Sequence, residues 1–122
     1  MTLPHVIHNT ESQEYYFEEG CYILELANLE SDSQLSIARA RVAPNTATKL
    51  HKLSGTIERY IILSGNGVVI LGENQDETTV TASDVVIIPD GCPQAIRNTG
   101  NDDLIFLVVC TPRFVTDNYS EC

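Results

Sequence analysis

The sequence has few of the residues that build large aromatic cores or membrane spans. Tryptophan is absent, methionine occurs once, and aromatic residues make up 7% of the 122 residues. Valine, isoleucine and leucine must therefore fill most of any core. The longest apolar runs, such as Val68–Leu71 and Ile105–Cys110, fall far short of the roughly 20 residues that a membrane-spanning helix needs. We therefore expect a soluble chain with no membrane partner.

Basic residues are also scarce. The chain has 7 Lys and Arg against 17 Asp and Glu, which gives a formal net charge of −10. Nucleic acids and anionic membrane surfaces both require a basic face on their protein partner. The charge therefore argues against both kinds of partner, and its simplest role is to keep the chain soluble.

The cysteine pattern is not that of a disulfide or zinc framework. Cys21, Cys92, Cys110 and Cys122 form no Cys-x-x-Cys pair and show no metal-type spacing. The N-terminus has no basic start followed by an apolar stretch, so we expect no secretory signal and a cytoplasmic, reducing location. Cys21 and Cys110 lie in strand-like runs and are expected to pack as small apolar residues.

No window of a dozen residues has a 3.6-residue apolar period, so helices are not required. Short runs rich in Val, Ile, Leu, Thr and Tyr alternate with turns, which is typical of an all-β sandwich, jelly roll or barrel. Asn-Gly in Ser64–Gly67 is a hairpin signal, whereas Thr116–Cys122 is polar and expected to be loose. We expect one domain over residues 1–122. The predicted strands are Tyr15–Phe17, Cys21–Ala27, Leu35–Val42, Lys49–His51, Glu58–Leu63, Gly67–Leu71, Thr78–Thr81, Asp84–Ile88, Gln94–Asn98 and Leu104–Cys110.

Two segments of the sequence carry a known pattern. Residues 44–67 contain His51, Glu58 and a following glycine, and residues 83–98 contain a Pro-x-Gly turn followed by Gln94. Together they resemble the two motifs of the cupin superfamily, and the resemblance covers about residues 35–112. It implies an all-β fold, the double-stranded β-helix or jelly-roll barrel of two antiparallel sheets.

The departures from the family pattern concern the metal ligands. Cupins bind a divalent metal with two His and one Glu from the first motif and one His from the second. His51 and Glu58 match two of these positions, whereas Leu53 and Gln94 occupy the other two. The sequence is similar to small single-barrel cupins that carry Leu in place of the second His. Asn45 stands where the first motif begins with glycine, and its backbone tolerates the left-handed conformation.

The alternation of strand residues predicts an interior pocket. If Glu58 points inward, Tyr60 and Ile62 do so too, and Gln94 belongs to the inward set of its own strand. The resemblance implies one divalent ion (Zn, Fe, Ni or Mn) held by His51, Glu58 and Gln94. The alternative is a pocket without metal, in which these residues hydrogen-bond each other or a bound molecule.

Four polar residues near this pocket could have a functional role or an ordinary structural one. Arg39 and Arg41 share one face of a strand and could bind an anion, although pairing with surface acids is more common. Glu25 could act inside as an acid or base, although an exterior glutamate is more usual. Tyr60 could orient a substrate, or it could pack in the core.

Two classes of function follow from the pocket. One is an enzyme, with or without the help of a metal ion, that acts on a small polar metabolite such as a sugar or an organic acid. The other is a binding or sensing module without metal or turnover. The fold alone is compatible with both classes of function. A small molecule is the expected partner in both cases, and spare N-terminal strands make a homodimer the expected assembly.

Overall fold

The computed structural model describes residues 3–122, in which β-strands are joined by turns. Short 3-10 turns occupy Glu11–Gln13, Glu30–Asp32 and Thr116–Asn118, and residues 3–122 contain no α-helix. Accordingly, that part of the chain offers no helix with the length and apolar character to cross a bilayer. The strands are β1 (Tyr15–Phe17), β2 (Cys21–Ala27), β3 (Ser36–Val42), β4 (His51–Leu53), β5 (Ile57–Ser64), β6 (Asn66–Leu71), β7 (Asp76–Thr81), β8 (Val85–Ile88), β9 (Gln94–Asn98), β10 (Leu104–Thr111) and β11 (Tyr119–Glu121).

The strands form two antiparallel sheets that face each other. The six-stranded sheet has the order β1-β2-β3-β10-β5-β8, and the five-stranded sheet has the order β11-β4-β9-β6-β7. From β4 to β11, all consecutive strands except β6 and β7 lie in different sheets, so the chain passes repeatedly from one sheet to the other. This arrangement confirms the predicted jelly-roll barrel.

Apolar side chains from both sheets fill the space between them. Phe106, Ile62, Ile96 and Leu104 are at most 2% exposed and belong to one continuous cluster. Cys21 and Cys110 are buried with free thiols, as the sequence predicted. The core is therefore made mainly of aliphatic residues, because the chain has few aromatic ones.

Alternation along β5 directs three residues inward. Glu58, Tyr60 and Ile62 are buried, whereas Ile57, Leu63 and Ser64 at the ends of the strand are exposed. This confirms the predicted register, in which a carboxyl and a phenol share the inner face with an aliphatic residue.

The Ser64–Gly67 connection is a corner between the sheets, so the predicted hairpin is wrong. β5 pairs with β10 and β8, whereas β6 pairs with β7 and β9. A Cβ atom at Gly67 would lie 2.7 Å from the Leu104 side chain and 2.8 Å from the Arg97 carbonyl oxygen. The glycines are needed because the backbone passes close to its neighbours here.

The structure corrects two strand predictions. Thr116–Cys122 is not loose, because Tyr119–Glu121 forms β11 and pairs with β4. The strand expected over Lys49–His51 instead covers His51–Leu53, because the Lys49 amide donates to the Glu19 carbonyl outside the ladder. Asn45 has a φ of 61°, so it keeps the left-handed turn that the sequence predicted.

Candidate functional site

Gln94 connects the two sheets through side-chain hydrogen bonds. It lies at the start of β9, and its amide nitrogen donates to Glu58 Oε1 on β5. Its amide oxygen accepts a hydrogen bond from the Tyr60 hydroxyl, two residues further along β5. Gln94 is 0% exposed, so its orientation is fixed by these two partners. The amide thereby holds a carboxyl and a phenol side by side.

His51 occupies a separate position on β4. Its Nδ1 atom lies 2.6 Å from the Lys49 carbonyl oxygen. A carbonyl can only accept a hydrogen bond, so Nδ1 carries the proton in neutral His51. The other ring nitrogen, Nε2, lies 3.5 Å from Glu19 Oε2, and the Tyr119 ring stacks on the imidazole at 5.2 Å between centroids.

Burial changes the acidity of these groups. It raises the pKa of Glu58 to about 7, and the hydrogen bond from Gln94 partly opposes this rise. Burial also raises the pKa of Glu19 to about 8, with a further contribution from the nearby charge of Glu58. Burial lowers the pKa of His51, so the imidazole favours its neutral form. Near neutral pH, Glu19 is largely protonated and can donate towards His51 Nε2.

A cavity of about 210 Å³ lies against the inner face of the six-stranded sheet. Most of its wall is apolar, and a few polar groups converge on it, as is common in small-molecule sites. The apolar wall includes Phe17, Ile23, Ala38, Phe106, Val108 and Phe114. The polar lining includes Glu19, Cys21, Glu25, Asn28, Glu58 and Tyr60.

The four residues predicted to form one pocket lie in two layers. Glu58 and Tyr60 line the cavity directly. Gln94 belongs to the opposite sheet and forms hydrogen bonds with Glu58 and Tyr60 across the space between the sheets. His51 also belongs to the opposite sheet, and it faces the cavity residue Glu19. Gln94 and His51 therefore support the cavity lining.

Arg39 and Arg41 point outward and pair with acids. Arg39 Nη2 lies 2.6 Å from Glu11 Oε2, and Arg41 Nη2 lies 2.6 Å from Glu14 Oε1. These contacts agree with the interpretation of the arginines as surface ion pairs. They are therefore not available to bind an anion inside the barrel.

Glu19 is the site residue that sequence reasoning missed. It lies in the turn between β1 and β2, and its side chain is only 14% exposed. The sequence offers no signal that separates it from its neighbour Glu18. Glu25 also borders the cavity, although it is exposed; its carboxylate accepts from the Tyr15 hydroxyl at 3.2 Å and from Asn28 at 3.1 Å.

Comparison with known proteins assigns the family. The cupin-domain family model matches residues 38–110. An oxalate-binding protein of Thermotoga maritima is 35% identical over 91 residues, which cover 75% of this chain and 73% of the relative. The chain belongs to the cupin family. This cupin therefore has the barrel fold of its family.

Solved structures support the same fold. The crystal structure of a predicted oxalate decarboxylase from Thermotoga maritima is 33% identical and has a TM-score of 0.68, with 75% of this cupin and 80% of that chain covered. Pac13, a nucleoside dehydratase, has a TM-score of 0.78 over 97% of this cupin and 92% of its own chain. Pac13 is 14% identical, so its likeness concerns the fold alone.

The donor groups of this cupin, as they are arranged, do not fit a metal ion. The Gln94 oxygen accepts from Tyr60, and the amide nitrogen that faces Glu58 cannot act as a ligand. Leu53 offers no donor atom. Within residues 3–122, no group of three or more His, Cys, Asp or Glu side chains is placed to hold a metal. The ligand set His51, Glu58 and Gln94 stays a prediction, and no chemical step is derived through it.

Proposed function

We propose that this cupin binds a small molecule in the cavity on the inner face of the six-stranded sheet. The observation that carries the proposal is the Glu58–Gln94–Tyr60 group, whose carboxyl and hydroxyl border an otherwise mainly apolar cavity. Buried polar groups of this kind fix the orientation of a ligand, whereas the apolar wall provides contact area. Packing alone is a poor reason to bury a carboxyl in a barrel.

The sequence predicted a sugar or an organic acid as the ligand. The name of the Thermotoga maritima relative supports small-molecule binding and makes oxalate the first organic acid to test. The lining adds a constraint, because Glu19, Glu25 and Glu58 border the cavity and no Lys, Arg or His in the described chain does. A ligand carboxylate would therefore face glutamates without a compensating positive charge.

A cavity-filling substitution tests the proposal. Ala38 lines the cavity, whereas Ala82 is exposed in the turn after β7. Any compound among oxalate and small sugars that binds the wild type in calorimetric titration should also bind Ala82→Phe. Ala38→Phe should lose that binding because the added ring occupies the cavity. Equal binding by all three proteins would place the ligand elsewhere and reject the proposal.

Acid–base catalysis is a second candidate, favoured by the raised pKa values of Glu58 and Glu19, about 7 and 8. Such values let a carboxyl both accept and donate a proton near neutral pH. Once a ligand is found, NMR in D₂O would follow exchange of its carbon-bound hydrogens. Exchange that requires wild-type protein and is lost in Glu58→Gln would support an enzyme, and slow exchange in both proteins would favour a binding module.

A homodimer is the expected assembly, and an apolar outer surface supports it. Val85 and Ile87 on the edge strand β8 are 57% and 66% exposed, and the neighbouring Leu63 is 47% exposed. Across the ladder, Ile61 pairs with both Val85 and Leu107. Contiguous exposed apolar side chains of this kind often mark contacts between proteins. A cytoplasmic location stays a prediction.

A further inference from the structure

The charges around the cavity have one sign. Glu19 and Glu58 are largely buried beside it, and Glu25 borders it at the surface. Arg39 and Arg41 alternate along β3 with residues that line the cavity. Their side chains point outward and form ion pairs. Within residues 3–122, no basic side chain lines the cavity, so a carboxyl that ionises there has no counter-charge in the lining.

Aromatic residues make up much of the remaining wall. Phe17, Tyr15 and Phe114 line the cavity together with Tyr60 and Phe106, whose ring centroids lie 4.5 Å apart. Five of the eight aromatic residues in the whole chain are thus gathered around one cavity. Aromatic rings attract cations through their quadrupoles, and the attraction is larger where water is excluded.

The size of the cavity limits the ligand. An apolar cavity of about 150 Å³ is enough to hold benzene in an engineered protein, and the cavity here measures about 210 Å³. A single ring or a short branched chain with one polar group therefore fits, whereas a dinucleotide cofactor does not.

We propose that the ligand is a small organic amine in its ammonium form, whose apolar body contacts the aromatic wall and whose nitrogen contacts Glu58 and Glu19. This inference rests on the proposed function, because it names the ligand class of the same cavity. The Gln94 amide, on the opposite sheet, already donates a hydrogen bond to Glu58 Oε1. The ammonium group therefore approaches the carboxyl from the cavity side, and Tyr60 provides a neighbouring ring.

Proton release is the expected signature of such a ligand. Burial raises the pKa of both glutamates, to about 7 for Glu58 and about 8 for Glu19. A cation beside them stabilises their ionised forms and lowers both pKa values. Binding at pH 7 should therefore release protons to the buffer, so the measured enthalpy should depend on the buffer's ionisation enthalpy.

Three probes with the same ring separate the possible ligand classes: benzylamine, benzyl alcohol and benzoate. Calorimetric titration at pH 7 should give an affinity for benzylamine at least tenfold higher than for the other two. Glu58→Gln and Glu19→Gln should each reduce that affinity about tenfold, which corresponds to about 1.4 kcal/mol. Glu73→Gln, at an exposed glutamate away from the cavity, is the matched control and should bind like the wild type.

The outcomes separate this inference from the proposed function. Equal or tighter binding of benzyl alcohol or benzoate that Ala38→Phe abolishes would overturn the amine assignment and leave the cavity as the binding site. Benzylamine binding that survives Ala38→Phe, or that survives both glutamate substitutions, would also overturn it. If oxalate, the sugars and all three ring compounds fail to bind, both proposals are rejected. Thermal unfolding of each variant verifies that it folds.

Discussion

The side-chain amide of Gln94 donates a hydrogen bond to Glu58 across the space between the two sheets. It also accepts one from Tyr60, so a single amide satisfies two buried polar groups on β5. Gln94 can serve both groups because a side-chain amide both donates and accepts hydrogen bonds. In this cupin position 94 has a structural role that a leucine could not fill.

Replacing Gln94 with leucine should therefore destabilise the protein. Leucine fills a similar volume but leaves the Glu58 carboxyl and the Tyr60 hydroxyl without this partner. We expect the free energy of unfolding to fall by about 2–3 kcal/mol, measured by urea denaturation. The losses of unfolding free energy caused by Glu58→Leu and Gln94→Leu should not add when the two are combined, because both substitutions remove the same hydrogen bond. Asn98→Leu, on the same face of β9 but bonded to the Val42 carbonyl oxygen, should combine additively with Glu58→Leu.

The raised pKa values of Glu19 and Glu58 predict how stability depends on pH. Both carboxyls have an ordinary pKa of 4.5, and in the folded protein their values are about 8 and about 7. Between these limits the folded state holds protons that the unfolded state has released. Stability therefore falls as pH rises from 4.5 to about 8. The lowered pKa of His51 acts in the opposite direction, but only below its ordinary value of 6.5.

Between pH 6.5 and pH 8 the carboxyls dominate the pH dependence of stability. Folded His51 is already neutral there, and the unfolded state loses only the last half of its histidine proton just above pH 6.5. The melting temperature of the wild type should fall across this interval. Glu19→Gln should reduce the fall, whereas the surface variant Glu73→Gln should retain it. A wild-type melting temperature that stays constant from pH 6.5 to pH 8 would contradict the assigned protonation states.

Much of the fold could be predicted because it depends on local patterns. The alternation of Glu58, Tyr60 and Ile62 along one strand fixes which side chains are buried, and the two motifs fix where the strands meet. The corner at Gly65 and Gly67 could not be read in this way. An Asn-Gly sequence is compatible with a hairpin, and only the pairing of β5 and β6 with different partners makes it a corner.

The site residues that could not be predicted from the sequence depend on contacts between distant segments of the chain. Glu19 becomes a site residue because the turn after β1 lies over His51, 32 positions further along the chain. Tyr119 follows a polar stretch, and its stacking on His51 depends on the pairing of β11 with β4. Composition indicated a loose C-terminus, whereas tertiary packing supplies the apolar contacts that order it.

Tyr119 provides a test of the C-terminal strand. Its ring contacts both His51 and Phe17 at 5.2 Å between centroids, and its hydroxyl is a buried group for which residues 3–122 provide no hydrogen-bond partner. Tyr119→Phe keeps the ring and should leave the free energy of unfolding unchanged or slightly higher. Tyr119→Ala should lower it by about 2–3 kcal/mol. Equal stability of the two variants would show that the ring contacts contribute little.

The apolar outer surface at β8 predicts the assembly. Sedimentation velocity at micromolar concentration should show a dimer for the wild type. Ile87→Lys places a charge at a position that is 66% exposed in the single chain and should give a folded monomer. Val6→Lys, at a position that is 74% exposed in the N-terminal segment, is the control and should remain dimeric. A monomeric wild type would contradict the prediction of a homodimer.

The metal prediction depends on position 53. Leu53 is 4% exposed and lies two residues after His51 on β4, so the two side chains share the inner face. Leu53 offers no donor atom beside His51, and Gln94 is already engaged with Glu58 and Tyr60. The wild type should therefore bind zinc, nickel and manganese weakly in calorimetric titrations.

Leu53→His adds an imidazole beside His51 and should raise the metal affinity about tenfold or more, as one additional good ligand contact implies. Lys52→His is the matched control, because residue 52 is exposed and points to the opposite face of the same strand. It adds the same imidazole without changing the interior and should leave the affinity unchanged. Tight binding by the wild type that Leu53→His does not alter would show that another side chain completes the site. Glu19, whose carboxyl lies 3.5 Å from His51 Nε2, would then be the first residue to substitute.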